Sequence, residues 1–413
     1  MAGPVRATAR VGTQGSRRRG MARLEPHRRP GYLGPVHVIQ LAIVEAILIG
    51  VLAALSRNLV SAAIVGAIGA VTLALTLGRR NGRWWLEHQA MARRMRRRAT
   101  VPASAVGGDP RLEALRLLAP GTSIEDISGT DGTLVGVARD AAGWFAAAEI
   151  AGPAGIWDTD RPPVPLDVLA TALADADQSG GAVAQVVTHT VPAAAEDDEA
   201  TRSYRELLHR YGPVHTPVVR TTWVAVRLDA VALAEVGADL PDRAPDLVAA
   251  LLRQLTKSLR RHGLAVRPLD RDGLLDALDR SCDLTPRLGA GYDLQAVRPT
   301  PAHEDWRGWH SGRLGHRSYW LRGWPSIAQA GALLDWMTGM PAASTSVALI
   351  LSPTGGDVDI RCLVRISARP DRLAAAAEAV RAGARTANAE LFALDGEQRP
   401  AVYATAPTGG GPR

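Results

Sequence analysis

The sequence is poor in several residue types. Aromatic residues make up 4% of the 413 residues, and Lys257 is the only lysine. The two cysteines, Cys282 and Cys362, are too few for a disulfide framework or a cysteine metal cluster, and they fit a reducing compartment. The 46% hydrophobic content is therefore mainly alanine, valine and leucine, which suits helices and small-residue packing. This length predicts two folded units beside any membrane segment.

The sequence also lacks the motifs that carry most enzymatic chemistry. It contains no GxxxxGK[ST], no GxGxxG after a strand, no GxSxG, no CxxC and no HExxH. Only His310 and His316 approach the spacing of metal ligands. We therefore predict no catalytic residues, no cofactor, no metal site and no enzymatic activity.

Two long apolar runs stand near the N-terminus. Residues 36–55 are 20 residues long, enough at 1.5 Å per residue to cross roughly 30 Å of hydrocarbon. Glu45 interrupts this run at a cost of about 2.5 to 3.5 kcal/mol, which twelve valine, isoleucine and leucine residues offset. Residues 59–77 contain no charge, and three residues separate the runs. The pattern predicts a transmembrane helical hairpin.

The net charge of +7 is concentrated before residue 100, a distribution that favours anionic phospholipid over nucleic acid. Arginines flank both apolar runs on the outside, whereas the turn contains Arg57 alone. Because positive flanks remain in the cytoplasm, both termini are predicted to be cytoplasmic in a multi-pass protein of the inner cell membrane. A cleaved twin-arginine leader is the rival interpretation, and the second apolar run followed by an arginine block argues against it.

Several residues of the hairpin are candidates for contact with a partner helix. An intramembrane carboxylate such as Glu45 usually faces a partner helix or a polar cavity, and proton transport is a weaker alternative. A small-residue stripe, Ala62, Gly66 and Ala70, would let another helix approach closely. The general abundance of alanine and glycine is an equally good explanation of that stripe.

A basic segment follows the hairpin and is predicted to lie as a helix on the inner leaflet. Tryptophan prefers the headgroup layer, and each arginine near an anionic surface contributes on the order of 1 kcal/mol. Alternatively, these arginines serve only to keep the segment on the cytoplasmic side of the membrane. The candidate headgroup contacts are Arg79, Arg80, Arg83, Trp84, Trp85, Arg93, Arg94, Arg96, Arg97 and Arg98.

The remaining chain alternates between strand and helix patterns. The orders over residues 143–269 and 316–406 both read as βαββαβ, which predicts an α+β region of two ferredoxin-like units after the transmembrane hairpin. Predicted strands cover residues 219–229 and 357–368, and a predicted helix covers residues 271–282. The predicted last helix covers residues 371–392, and the predicted last strand covers residues 401–406. The predicted boundaries are a basic tail at 1–35, the hairpin at 36–78, a juxtamembrane segment at 79–100, unit 1 at 110–290, an irregular connector at 291–315, unit 2 at 316–407 and a tail at 408–413.

Tryptophans cluster in and after the connector. Trp306 and Trp309, with Arg307 between them, lie in an irregular polar segment, and exposed tryptophan beside arginine is typical of protein interfaces. A core position is an equally good alternative for these two rings. For Trp320, Trp324 and Trp336 a core position is the preferred interpretation.

Several motifs resemble the EccE family of actinobacterial type VII (ESX) secretion systems. The N-terminal hairpin with its basic flanks and Gly129-Thr130-Asp131-Gly132 with Gly143-Trp144 resemble the family's N-terminal part. Ser318-Tyr319-Trp320-Leu321 and Leu394-Asp395-Gly396-Glu397-Gln398 resemble its C-terminal half. The resemblance covers most of residues 35–410.

This resemblance implies a non-enzymatic structural subunit of the secretion complex. Its partners would be the other membrane subunits, including the ATPase, together with anionic lipids. The alternative is a membrane-anchored transferase-like enzyme at the inner leaflet, which would need clustered acidic residues for a metal ion.

Overall fold

The computed structural model describes most of the chain. The described residues are 6–9, 24–27, 32–33, 36–77, 79–80, 83–99, 109–129, 132–151, 163–176, 181–192, 218–237, 239–284, 302–312, 314–340, 342–354 and 357–411. Contacts divide the chain into two compact units. The first comprises Met1–Arg6 and Pro26–Val101, and the second comprises Ala7–Glu25 and Pro102–Arg413.

The first unit is built around two helices that pack against each other, α1 (Val38–Leu55) and α2 (Leu59–Leu77). Asn58 caps α2, because its Oδ1 accepts a hydrogen bond of 2.6 Å from the Ser61 amide. A third helix, α3, covers Trp85–Ala99. This unit also contains two two-stranded ladders, with strands β3 (Tyr32–Leu33), β4 (Val36–His37), β5 (Arg79–Arg80) and β6 (Arg83–Trp84). Strands β1 (Arg6–Ala9) and β2 (Leu24–His27) form a ladder of their own.

Across the ranges given above, no helix combines the length and the apolar character of a membrane span. Helix α1 begins at Val38, two residues later than predicted, and its 18 residues extend about 27 Å, short of roughly 30 Å of hydrocarbon. The transmembrane hairpin at 36–55 and 59–77 is therefore a wrong prediction. The multi-pass topology that depended on it is not supported.

The second unit contains one antiparallel sheet of twelve strands. The strands are β7 (Ser123–Ser128), β8 (Leu134–Asp140), β9 (Gly143–Ile150), β10 (Ala182–Pro192), β11 (Val218–Asp229), β12 (Val266–Pro268), β13 (His303–Glu304), β14 (Trp309–Ser311), β15 (Leu314–Gly323), β16 (Ser344–Thr354), β17 (Asp357–Ala368) and β18 (Glu390–Ala393). The helices are α4 (Pro110–Leu118), α5 (Leu166–Ala176), α6 (Ala230–Val236), α7 (Leu240–Arg261), α8 (Arg271–Cys282), α9 (Ile327–Thr338), α10 (Pro370–Thr386) and α11 (Gln398–Ala404).

The sheet consists of two halves with the same strand order. The N-terminal half (β7–β12) has the order β12-β9-β11-β10, and the C-terminal half (β13–β18) has the order β18-β15-β17-β16. A hairpin extends each half, β7 and β8 beside β9 in one and β13 and β14 beside β15 in the other. The halves join where β10 pairs with β16, so these two strands are central and not edges.

Helices cover both faces of the sheet. The first face carries α5 and α7 over the N-terminal half and α9 and α10 over the C-terminal half, whereas the second face carries α4, α8 and α11. Strand β10 shows why both faces need cover. Ala184 and Val186 point to the first face and Gln185 and Val187 to the second, and all four are buried.

The predicted fold class is therefore wrong. Two separate ferredoxin-like units after a membrane hairpin were expected, whereas one continuous twelve-stranded sheet forms because β10 and β16 pair over seven residue positions. The predicted connector is also partly regular, since it contains β13 and β14.

The C-terminal elements differ from the prediction for a local reason. Helix α10 ends at Thr386 and not at 392, because Asn388 adopts φ 56° and the Ala389 amide bonds back to the Ala384 carbonyl at 2.8 Å. Strand β18 follows, and the predicted strand at 401–406 lies largely in helix α11.

Candidate functional site

A groove of about 520 Å³ lies on the first face of the sheet, above the junction of the two halves. Its floor consists of side chains from β10, β11 and β16. Its walls come from residues just before α5, the turn after α7 and the C-terminal end of α9. Small-molecule sites commonly have this size and occur where two structural units meet.

The floor changes from polar to aliphatic along the strands. At the polar end Arg220 lies opposite Thr190, and one row further Thr222 pairs with Thr188. In the next row Val186 lies between Val224 and Leu349. The groove therefore offers hydroxyl groups and a cation at one end and methyl groups at the other.

Arg220 is held in place at the polar end. Its Nη2 donates to the Thr338 hydroxyl at 3.1 Å, and that hydroxyl donates to the Asp335 carbonyl at 2.8 Å. Thr338 is the last residue of α9, so the guanidinium lies beside a helix C-terminus, where a cation is favoured.

The second face holds a buried polar cluster in its C-terminal half. Arg365 of β17 is fully buried, and its Nη2 donates to the Ser346 hydroxyl at 2.8 Å and to the Ser281 carbonyl. Its Nη1 donates to the Val402 carbonyl at 3.4 Å. Ser281 and Val402 lie in the last turns of α8 and α11, so two helix C-termini stabilise this buried cation.

Two histidines extend this cluster. His316 contacts the hydroxyls of Ser367 at 2.8 Å and Ser311 at 2.9 Å, and His189 contacts the Ser346 hydroxyl at 2.9 Å. Burial holds the pKa of His316 well below its usual value, and the positive charge of Arg365 acts in the same direction. His316 is therefore neutral and structural.

A second buried polar group joins the C-terminal segment to the N-terminal half. Asp140 pairs with Arg227, whose Nη1 lies 3.0 Å from Asp140 Oδ2 and also donates to the Thr408 carbonyl at 3.1 Å. The Tyr403 hydroxyl donates to the same carboxylate at 2.9 Å. Burial raises the pKa of Tyr403 well above its usual value, and the Asp140 charge adds to the shift.

Gln185 holds the same segment, which we call the C-terminal strap (residues 404–411). Its Nε2 donates to the Ala404 carbonyl at 2.7 Å, and its Oε1 accepts from the Gly410 amide at 3.0 Å. The strap is almost entirely buried. A segment of the C-terminal half therefore completes the core of the N-terminal half.

Both cysteines are free and buried. Burial raises the pKa of Cys282, and it raises the pKa of Cys362 to about 12. Neither thiol is activated in the folded protein. Across the described ranges, no three His, Cys, Asp or Glu side chains are placed to share a metal ion.

The residues predicted to contact a partner helix differ in their exposure. Glu45 is exposed on α1, whereas Ala62 is buried between α1 and α2. Gly66 is half-buried and Ala70 is exposed. Gly69, which the four-residue stripe misses, lies directly against Ile47, so the close approach of the two helices runs through Ala62 and Gly69. A contact of Glu45 with a partner stays a prediction.

The predicted headgroup contacts lie largely on α3. Among them, Arg93, Arg94, Arg96 and Arg97 are exposed, and Arg98 is half-buried. The side chains of Arg79, Arg80, Arg83, Trp84 and Trp85 lie outside the described residues. Lipid binding by this segment stays a prediction.

The predicted tryptophan interface contains one core residue. Trp309 is 3% exposed and packs with the core of the second face, whereas Trp306 is half-buried and Arg307 is exposed. The turn that carries them is firmly held, because Asp305 Oδ1 accepts from the Arg307 amide at 2.6 Å and from the Gly308 amide at 2.7 Å. An interface role stays a prediction for Trp306 and Arg307.

The other tryptophans are not all core residues. Trp320 and Trp324 are half-buried, and Trp324 packs against the core of the C-terminal half. Trp336 is 40% exposed.

Sequence motifs predicted neither the groove nor the two buried arginines, Arg227 and Arg365. Arg220, Arg227 and Arg365 lie on strands that were correctly expected, but a single arginine in a strand usually marks a solvent-exposed position. The polar pairs Thr188 with Thr222 and Thr190 with Arg220 depend on strand register, which the sequence pattern does not specify.

The family comparison concerns the middle of the chain. Residues 216–321 match the model of a family described as "Putative type VII ESX secretion system translocon, EccE". The matched range runs from β11 to β15, and it includes the Ser318 to Leu321 motif. No curated protein matches the chain. The match over residues 216–321 confirms the resemblance to the EccE family of type VII ESX secretion translocon proteins that the motifs indicate.

Proposed function

We propose that this chain is a structural subunit of a type VII protein secretion complex and supports assembly or stability of the export machine. The observation that carries this proposal is the family match over residues 216–321. The chain associates with the membrane as part of that complex, and its partners are other subunits of the complex, including the ATPase. It acts by holding neighbours and not by catalysis.

The packing of the second unit agrees with a structural role. Its buried polar side chains hold the fold together, since Arg365 joins two helix ends and Asp140 joins Arg227 to Tyr403. Both thiols are buried with raised pKa values.

We assign the partner contact to Trp306 and Arg307 at the terminal hairpin of the sheet. Replacing both by alanine is expected to leave the fold intact, because one side chain is half-buried and the other exposed, while reducing secretion and co-purification of the ATPase. Assembly is measured by native electrophoresis of the extracted complex, and secretion is measured on the same strains.

Two controls accompany the Trp306 and Arg307 variant. Arg267→Ala removes an arginine that is 75% exposed elsewhere on the sheet and should change nothing. Trp309→Ala should lower stability by about 3 to 5 kcal/mol, which identifies a loss of core packing. Normal assembly and secretion with the Trp306 and Arg307 double variant would contradict the proposed interface. If substitution of a single acidic residue abolished secretion while the complex still assembled, the transferase-like alternative would be favoured.

We also assign lipid contact to the exposed arginines of α3. Replacing Arg93, Arg94, Arg96 and Arg97 with glutamine is expected to weaken binding of the full chain to phosphatidylglycerol vesicles by a hundredfold or more, since each charge contributes about 1 kcal/mol. Binding is measured by vesicle sedimentation, with phosphatidylcholine vesicles as the uncharged reference. Equal binding of the unmodified chain and the glutamine variant to the phosphatidylglycerol vesicles would refute the assignment.

A further inference from the structure

Among the described residues, the groove on the first face interrupts the cover of the sheet at its centre. Strands β10 and β16 are central, and Val186 and Val347 on this face are buried. Thr188 and Leu349 belong to the same two strands and the same face, yet both remain half-buried. The floor of the groove is therefore accessible to a ligand between the wall of α9 and the turn after α7.

Backbone pairing limits what the groove can bind. β10 pairs with β11 on one side and with β16 on the other, so its backbone groups are not available to an added strand. On the floor of the groove a ligand therefore contacts side chains. The volume of about 520 Å³ is that of a small-molecule site.

The polar end selects an anion of low charge. Arg220 supplies the cation, and the hydroxyls of Thr188 and Thr222 lie in the next row of the floor. The C-terminus of α9 and the exposed Asp335 at the rim both contribute negative potential. A singly charged carboxylate suits this setting better than a doubly charged phosphate.

The rest of the lining is aliphatic. Val186 and Leu349 form the floor beyond the threonines, and Val164, Leu264 and Leu334 form the walls. An alkyl chain that starts at the polar end would lie against these side chains and lose contact with water, which favours binding.

We propose that the groove binds a small aliphatic carboxylate, with the carboxylate at Arg220, Thr188 and Thr222 and the alkyl chain over Val186 and Leu349. The proposal is independent of the role in secretion. It adds a ligand site to a sheet whose buried polar clusters around Arg365 and Asp140 are engaged in structure.

Octanoate and octan-1-ol are suitable probes, because they share an alkyl chain and differ in charge. Calorimetric titration of the full chain is expected to show octanoate binding that Arg220→Gln weakens at least tenfold, while octan-1-ol binding stays unchanged. Ala265→Trp should weaken both probes, since Ala265 is an exposed residue at the mouth and a tryptophan there would obstruct it.

Arg267→Gln is the matched control. It removes an exposed arginine close in sequence to Ala265 that does not line the groove, and it should leave both affinities unchanged. Circular dichroism of each variant confirms that it is folded. Octanoate binding that is equal in all four proteins would overturn the proposal, because it would report association with aliphatic surface elsewhere. Equal weakening of octanoate and octan-1-ol by Arg220→Gln would overturn the carboxylate assignment.

Discussion

Replacing Asp140 with alanine is expected to lower the free energy of unfolding by about 3 to 5 kcal/mol, the usual cost of removing one partner from a buried ion pair. Arg227 would remain buried with its charge uncompensated, and the Tyr403 hydroxyl would lose its acceptor. The Asp140 side chain also accepts from the Ala142 amide at 2.9 Å and from the Gly143 amide at 3.1 Å, so the β8 to β9 turn would lose two hydrogen bonds.

Two further variants test how much the buried Asp140 carboxylate contributes to stability. Asp140→Asn keeps the size and, through Oδ1, the turn contact, but its Nδ2 replaces the oxygen that accepts from Arg227 and Tyr403. Its loss of stability therefore reports the buried charge together with the lost acceptor. Asp276→Ala removes a carboxylate that is 56% exposed and pairs with Arg111 at the surface, and it should cost less than about 1 kcal/mol.

Unfolding in urea can be followed through Cys282 and Cys362. Both are buried with raised pKa values, so a thiol reagent modifies them only after the structure opens. A loss of under 1 kcal/mol for Asp140→Ala would mean that Arg227 finds another acceptor and that the pair does not hold the strap.

Gly409→Ala is expected to have an effect of similar size. Gly409 adopts φ 73°, a left-handed conformation that costs a residue with a side chain about 1 kcal/mol. An added methyl group would also overlap the Arg227 Cβ, which belongs to the central sheet and has little room to move. Overpacking of this kind costs a further 1 to 3 kcal/mol or so.

Gly121→Ala is the control for the strap variant. Gly121 has nearly the same backbone conformation, φ 79°, but an added Cβ there meets no atom within 4 Å. It should show the conformational penalty alone. Equal destabilisation by the two substitutions, in the same urea and thiol-modification assay, would argue against close packing of the strap on Arg227.

Local signals predicted most elements of the second unit. Helix α8 occupies residues 271–282 as predicted, because Asp270 accepts a hydrogen bond from the Gly273 amide at the N-cap and Leu274, Leu275 and Leu278 recur on one face. Strand β17 also has its predicted bounds, which follow from the alternation of apolar and polar residues.

The same alternation does not show what covers the polar face. In β17, Arg365 and Ser367 alternate with Val364 and Ile366, a pattern typical of a strand with one face in solvent. Helices α8 and α11 bury that face, and their packing against the sheet depends on contacts between residues far apart in sequence. Trp309 packs in the same core, and no pattern in the sequence around it predicted that position.

The pairing of β10 with β16 was beyond prediction for a related reason. Each strand alone has the composition of a buried central strand, but no local feature specifies its partner. The groove and its arginine follow from that pairing, so the candidate ligand site was not predictable from residues taken singly.

The strap has a consequence for how the chain is made. Gln185 and Ala404 are 219 residues apart, so the N-terminal half of the sheet lacks part of its core until the C-terminal half has been synthesised. Contacts this distant in sequence slow folding, because a long loop must close before they form. A nascent chain at this stage would expose the edge of β10 that later pairs with β16, and the Asp140–Arg227 pair would lack its contacts with Tyr403 and Thr408. Such exposure makes it a substrate for chaperones during translation.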